Sequence, residues 1–130
     1  MRYLVDANVW INALAGKPAA GQVLQQLTEV GWAGFSAITR LEIFGFPGLS
    51  SQDEAAFNAV LEQFQEVDIS ANVIETAIRL RKQVKIRTPD ALIAACALTQ
   101  QAAIITSNEQ DFSKVPELQV FNPDRYPKLL

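Results

Sequence analysis

The sequence predicts an α/β domain on a mostly parallel sheet. Short apolar runs alternate with longer stretches of helical periodicity along the whole chain. The 130 residues, 49% hydrophobic and 19% charged, are enough for one core and too few for two. Residues 1–130 are therefore read as a single domain. A chain of this length buries roughly two-thirds of its unfolded surface, which excludes disorder and any need for disulfide staples.

Tyr3-Leu4-Val5 reads as the first strand, ending at Asp6. Val9 to Leu14 and Pro18 to Glu29 have helical spacing, broken at Gly16 and stopped near Gly31. Ala33 to Ser36 is a weak second strand, and Ile38 to Phe46 a short helix closed by Gly45-Phe46-Pro47-Gly48. Ser51-Gln52-Asp53-Glu54 has the form of a capping box, opening a helix to about Phe64. Gln65 to Ile69 is a third strand, followed by a helix from the N-cap Ser70 to about Lys82. Thr88-Pro89 starts another helix, with proline at the first helical position, where a missing N–H costs nothing. Ala102 to Thr106 and Gln119 to Phe121 are the last strands, and Asn122 to Leu130 is a tail.

Composition narrows the chemistry. The chain has no histidine, which removes Ser-His-Asp and Cys-His catalysis and every imidazole-dependent zinc site. Its one cysteine, Cys96, cannot pair internally and lies in an apolar helix, where packing is its expected role. The longest apolar run, Ala91 to Leu98, is far short of the ~20 residues of a membrane span. The start, Met-Arg-Tyr-Leu-Val-Asp, meets a charge before a signal-peptide core could form, so a cytoplasmic location is expected.

Four acids stand where apolar residues surround them. Asp6 follows the first strand directly, at the carboxyl end where open α/β sheets place ligands; a helix N-cap is its alternative role. Glu42 falls between Ile38 and Phe46, beside Leu41 and Gly45, inside an apolar stripe, where it needs either a function or an arginine partner. Asp90 opens the helix containing Ala91 to Leu98, which is apolar all round and so must be buried; the helix dipole alone would favour an acid there. Asp111 lies just past the strand Ala102 to Thr106, on the same edge as Asp6 if the strands are parallel, and alone would be a loop acid or cap. Clustered carboxylates raise one another's pKa unless a cation neutralises them. With no His or second Cys, the cation implied is a hard divalent ion, Mg or Mn, which suits phosphoryl chemistry.

These residues resemble the PIN-domain ribonucleases, most of all the VapC toxins of bacterial toxin-antitoxin pairs. The resemblance spans nearly the whole chain and rests on Val5-Asp6-Ala7-Asn8-Val9-Trp10-Ile11, Thr39-Arg40-Leu41-Glu42-Ile43, Thr88-Pro89-Asp90-Ala91-Leu92-Ile93-Ala94-Ala95 and Thr106-Ser107-Asn108-Glu109-Gln110-Asp111-Phe112, the third being the most distinctive. It implies a three-layer fold with a five-stranded parallel sheet flanked by helices, and a metal-dependent endoribonuclease. Asp6, Glu42, Asp90 and Asp111 would be its catalytic metal-binding acids, with Asn8 and Asn108 orienting a ligand or water. Some relatives carry an acid where Asn108 stands, so the count is one ion or two. The resemblance also implies a homodimer silenced by a cognate antitoxin, with no membrane partner.

The formal charge of −3 argues against RNA, but two divalent ions would turn it to +1, and Arg79, Arg81, Lys82, Lys85 and Arg87 fall within nine positions just before Asp90. Lys85 and Arg87, with Arg40 beside Glu42, are the expected phosphate contacts; a solvated helix face is the favoured reading of Arg79, Arg81 and Lys82. Trp10, Trp32, Phe44 and Phe46 could stack on bases or line a groove, though such spacings more often mark a core or dimer interface. Two other classes compete. A carboxylate phosphotransfer domain would use Asp6 as nucleophile, but dehalogenase-type phosphatases want a second acid where Asn8 stands. A PIN-like module that binds RNA or protein without cutting is the other, and it has no reason to keep all four acids.

Overall fold

The computed structural model describes residues 1–126 and shows a five-stranded sheet in the order β3-β2-β1-β4-β5, every neighbouring pair parallel. The chain runs β1 (Arg2–Val5), α1 (Ala7–Leu14), α2 (Pro18–Leu27), β2 (Trp32–Ser36), α3 (Ala37–Phe44), α4 (Ser51–Leu61), β3 (Gln65–Val67), α5 (Ala71–Gln83), α6 (Thr88–Thr99), β4 (Ala103–Ile105), α7 (Glu109–Phe112) and β5 (Val120–Phe121).

The period of two along the strands divides the core into two layers. Tyr3 and Val5 of β1 and Ala103 and Ile105 of β4 point to one face, where Trp10 of α1, Val23 and Leu27 of α2, Ile43 of α3 and Phe57 of α4 cover them. Leu4 and Ile104 point to the other, beneath Val73 and Leu80 of α5, residues 93–97 of α6 and Phe112 of α7. Burial on both faces explains why the strands read as short apolar runs. Helix α6 is the most enclosed: Ala91, Ala94, Ala95, Cys96 and Ala97 are each 0% exposed, and the small alanines let it press on α5 and the sheet. Trp10 packs edge to face on Phe35 and Phe64, so it is core; Phe44 packs on Phe57 the same way.

Strand β2 is weak in sequence because Gly34 interrupts it, and Gly34 is required. A Cβ there would lie 2.5 Å from the Gln65 carbonyl oxygen and 2.6 Å from the Trp32 ring, over which the Arg2 guanidinium stacks at 4.3 Å. The chain builds the sheet outward from β1 through β2 to β3, then returns to add β4 and β5 on the other side, so the direction of growth reverses between β1 and β4. That reversal, at the carboxyl ends of the strands, is where open α/β sheets leave a crevice.

Several local expectations are corrected. Ser50, not Ser51, caps α4: its hydroxyl accepts from Asp53 N–H at 3.0 Å, so the cap and the acid three residues on are Ser50 and Asp53 rather than Ser51 and Glu54. Helix α4 ends at Leu61 rather than Phe64, and Pro89 takes the second helical position of α6, where an N–H is equally free of an intrahelical partner. The helix over Glu109–Phe112 is not signalled by the sequence pattern. The stripe around Glu42 does not face a core: Leu41 is 67% and Phe46 66% exposed, while α3 buries Thr39 and Ile43. Of the tail after Asn122, residues 127–130 lie outside the described residues.

Candidate metal centre

Asp6 stands at the reversal point, directly after β1, and caps α1. Its Oδ1 accepts from Ala7 N–H at 2.8 Å; its Oδ2 accepts from the Thr106 hydroxyl at 2.9 Å and from Asn8 Nδ2 at 3.0 Å. The adjoining strand supplies the rest of the frame. Asp6 N–H donates to Ile105 O at 2.9 Å, so the ends of β1 and β4 are tied together beneath the carboxylate. Thr106, fully buried, also accepts from Asn8 Nδ2 at 3.2 Å and from Asn108 N–H at 3.0 Å, and Asn8 Oδ1 accepts from Ser107 N–H at 3.1 Å. The Asn108 amide in turn donates to Asp111 Oδ2 at 2.8 Å. Asn8 and Asn108 thus orient Asp6 and Asp111. Thr106, which in sequence is only a strand end, is the hub that joins them; the one signal for it is a hydroxyl immediately after the apolar β4.

Asp90 enters from α6, buried within the helix's first turn. Its Oδ2 is buried with no hydrogen-bond partner, and Arg87 Nε stands 3.5 Å away, too far to be a good one. Glu42 enters from α3 on the rim of an apolar cleft of about 280 Å³ among α1, α3 and α4.

Electrostatics link all four acids. Burial holds the Asp6 carboxyl above its ordinary range, and the charge of Asp90 adds to this, against the hydrogen bonds from Thr106, Ala7 and Asn8. Burial likewise raises Asp90; Arg87 opposes it and Asp111 reinforces it. Glu42 is raised by lost hydration first, then by Asp6 and Asp90. Carboxylates that burden one another in this way, one with an unsatisfied buried oxygen, are the donor set a hard cation relieves. The carboxylates stand apart in this conformation: among the described residues, no group of three or more acidic or cysteine side chains is close enough to hold an ion as it stands. Two of the acids have internal partners: Asn108 donates to Asp111, and Arg87 pairs with Asp90.

The predicted cations separate. Lys85 and Arg87 line a cavity with Asp90 and Asp111, whereas Arg40 is exposed and gripped by Glu66 of β3 through a bidentate pair at 2.5 and 3.2 Å. Cys96 is buried and donates to the Ser36 hydroxyl at 3.3 Å, consistent with packing.

A profile of the PIN domain matches residues 3–118. Ribonuclease VapC19 of Mycobacterium tuberculosis H37Rv is 31% identical over 122 residues, covering 89% of this chain and 96% of that protein. Among solved structures, a toxin-antitoxin complex from Klebsiella pneumoniae contains a chain 29% identical, with a TM-score of 0.80 over 93% of this chain and 97% of that one. VapBC2 from Rickettsia felis, bound to a promoter DNA fragment, has the same fold at 23% identity, with a TM-score of 0.80 over 94% and 98% of the two chains. A match over most of the chain, a relative above 30% identity and a fold shared with a toxin-antitoxin chain agree: the chain belongs to the PIN-domain family, in its VapC-like branch.

Proposed function

We propose that this protein is an endoribonuclease that hydrolyses RNA phosphodiesters with bound Mg or Mn, as the toxin of a toxin-antitoxin pair. One observation carries the reading: Asp6, Glu42 and Asp90 have their carboxyls raised by burial and by neighbouring acids at the carboxyl edge of the sheet, and a buried Asp90 oxygen is unsatisfied. Asp6, Asp90 and Asp111, with Glu42 beside them, would hold one or two ions. When bound, such an ion lowers the pKa of water and stabilises charge on the phosphoryl oxygens. The chain's own contribution is position and proton traffic. Thr106, Asn8 and the Ala7 N–H keep Asp6 in a single orientation, so little reorganisation is left for the moment of reaction. Glu42, the most exposed of the four and held above its ordinary range, is suited to take the proton of the attacking water, with the ribose oxygen as leaving group.

The relatives support an antitoxin as partner. The Klebsiella chain is held in a toxin-antitoxin complex, and the same arrangement for this chain gives the apolar cleft beside Glu42 an occupant, a peptide of the cognate antitoxin lying against the acids. The exposed Leu41, Ile74 and Ile78 are suited to a homodimer. No helix among the described residues is long and apolar enough to cross a membrane. RNA as the substrate puts the place of action in the cytoplasm. The non-cutting module is the second reading, favoured by the open arrangement of the carboxylates.

Purified protein should cleave RNA with Mg or Mn and stop when they are chelated, and Asp6→Asn or Asp90→Asn should lower the rate roughly a hundredfold or more while leaving the fold intact. Full cleavage by either folded variant, or undiminished cleavage in chelator, overturns the mechanism. RNA binding without cleavage selects the second reading.

A further inference from the structure

Beside the carboxylates lies a cavity of about 470 Å³ lined by Arg81, Lys85, Ile86, Arg87, Asp90, Asp111 and Lys114. Four cations converge on it from two distant parts of the chain, the α5–α6 region and the segment after α7. We propose that this cavity is a subsite for the RNA phosphate next to the scissile one, with Lys114 and Arg81 among its ligands beside Lys85 and Arg87. The proposal rests on the ribonuclease reading and adds to it which side of the centre grips the strand.

Three observations carry it. The cavity shares Asp90 and Asp111 with the centre, so an anion within it is a direct neighbour of the reacting group. Internal pairing accounts for Arg87 alone, which stands 3.5 Å from Asp90: among the described residues neither Lys85 nor Lys114 forms an ion pair. Arg81 donates to the Thr88 hydroxyl at the start of α6, a neutral partner that aims the guanidinium and leaves its charge unspent. Lys114 is near enough for its charge to act on Asp90. A solvated helix face accounts for a run of basic residues along α5; it does not account for a fourth cation arriving from beyond α7. The opposite cleft contrasts with this one, for among its lining residues Glu42 and Asp53 carry charge and none is basic. Repelling cations around a hollow are relieved by a phosphate, which several charge-assisted hydrogen bonds can hold at once.

The test compares two substrates: a dinucleoside monophosphate, with only the scissile linkage, and the same molecule with an added terminal phosphate at its 5′ or its 3′ end. In the parent protein the added phosphate should raise kcat/KM roughly tenfold at one end and not at the other, the gain expected of one charge-assisted contact. In Lys114→Gln and Arg81→Gln that ratio should fall towards one, and Lys114→Arg should restore most of it. A ratio near one at both ends in the parent, or a ratio unchanged in the Gln variants, overturns the subsite. Calorimetric binding of a non-cleavable trinucleotide keeps the two readings apart. Binding that weakens in Lys114→Gln, in a protein that cuts no RNA, keeps the cavity as a phosphate site but removes the ribonuclease and with it the place beside a scissile linkage; binding indifferent to Lys114 and Arg81 removes the subsite whatever the cleavage result.

Discussion

Asp90 is where folding and the proposed metal chemistry make opposed demands. A carboxyl whose pKa is raised on folding holds its proton more tightly in the native state. Its stabilising contribution is therefore full below the ordinary value of 3.8 and is lost as pH rises through the raised one. In chelator, Asp90→Asn should melt above the parent at neutral pH, with the difference shrinking as pH falls; added Mg should reverse the order, because only the parent gains from the ion. Melting curves at several pH values check this, and a variant that melts lower than the parent in chelator at pH 7 would show Asp90 to be a structural partner of Arg87. Thr106 has the converse character. Thr106→Val removes the donor to Asp6 and the acceptor of two N–H groups, leaving buried polar groups unpaired at a cost of about 1–3 kcal/mol, measurable by urea unfolding. Asp6 and Asp90 stand out in the sequence because a buried acid next to an apolar strand or helix contradicts its surroundings, whereas the apolar stripe that singles out Glu42 is exposed. Thr106 does not stand out, because a threonine at a strand end contradicts nothing.

At the scale of elements, the chain states its layers clearly and its boundaries loosely. Strands β1 and β4 and helix α6 are legible because burial on all sides demands unbroken apolar runs, and Ser70 and Thr88-Pro89 mark their helix starts chemically. The start of α4 is displaced by one residue in the sequence pattern because Ser50 and Ser51 are both good caps, and only the backbone, extended at Ser50, decides between them. Ser50→Ala should therefore cost about 1 kcal/mol in thermal or urea unfolding, and Ser51→Ala less than about half of that; the reverse ranking would restore Ser51 as the cap. The four residues of α7 carry too little periodicity to be read, yet they place Asp111 and lead to Lys114. Helix α5 supports α6 and thereby Asp90. Leu80→Ala, emptying a side chain that is 2% exposed between them, should lose about 2–5 kcal/mol, whereas an exposed change such as Glu75→Ala on the same helix should lose far less.

The whole molecule is acidic, with a formal charge of −3, so the proposed grip on RNA would have to come from where its charges sit. Lys85, Arg87, Arg81 and Lys114 gather on the α5–α6 and α7 side of the carboxylates, while the cleft on the α1, α3 and α4 side carries acid on apolar walls. Arg40 belongs to neither set, since Glu66 already takes two of its hydrogen bonds. The order of the parallel sheet produces this division: the helices connecting β1 to β3 build one wall of the crevice and those after β3 build the other. Binding through phosphates alone is salt-dependent, and each cation lost lowers the slope of log K against log salt by about 0.7 for a single strand. Replacing Lys85 and Arg87 together by Ala should then flatten the slope by about 1.4 and weaken binding of a non-cleavable RNA without much change in Mg affinity. Arg40→Ala should change the slope by much less, because its charge is already spent on Glu66. Titrations of the three proteins at several salt concentrations check the division directly: if Arg40 moves the slope as much as Lys85 and Arg87 do, the strand crosses α3 as well, and the crevice is gripped from both walls.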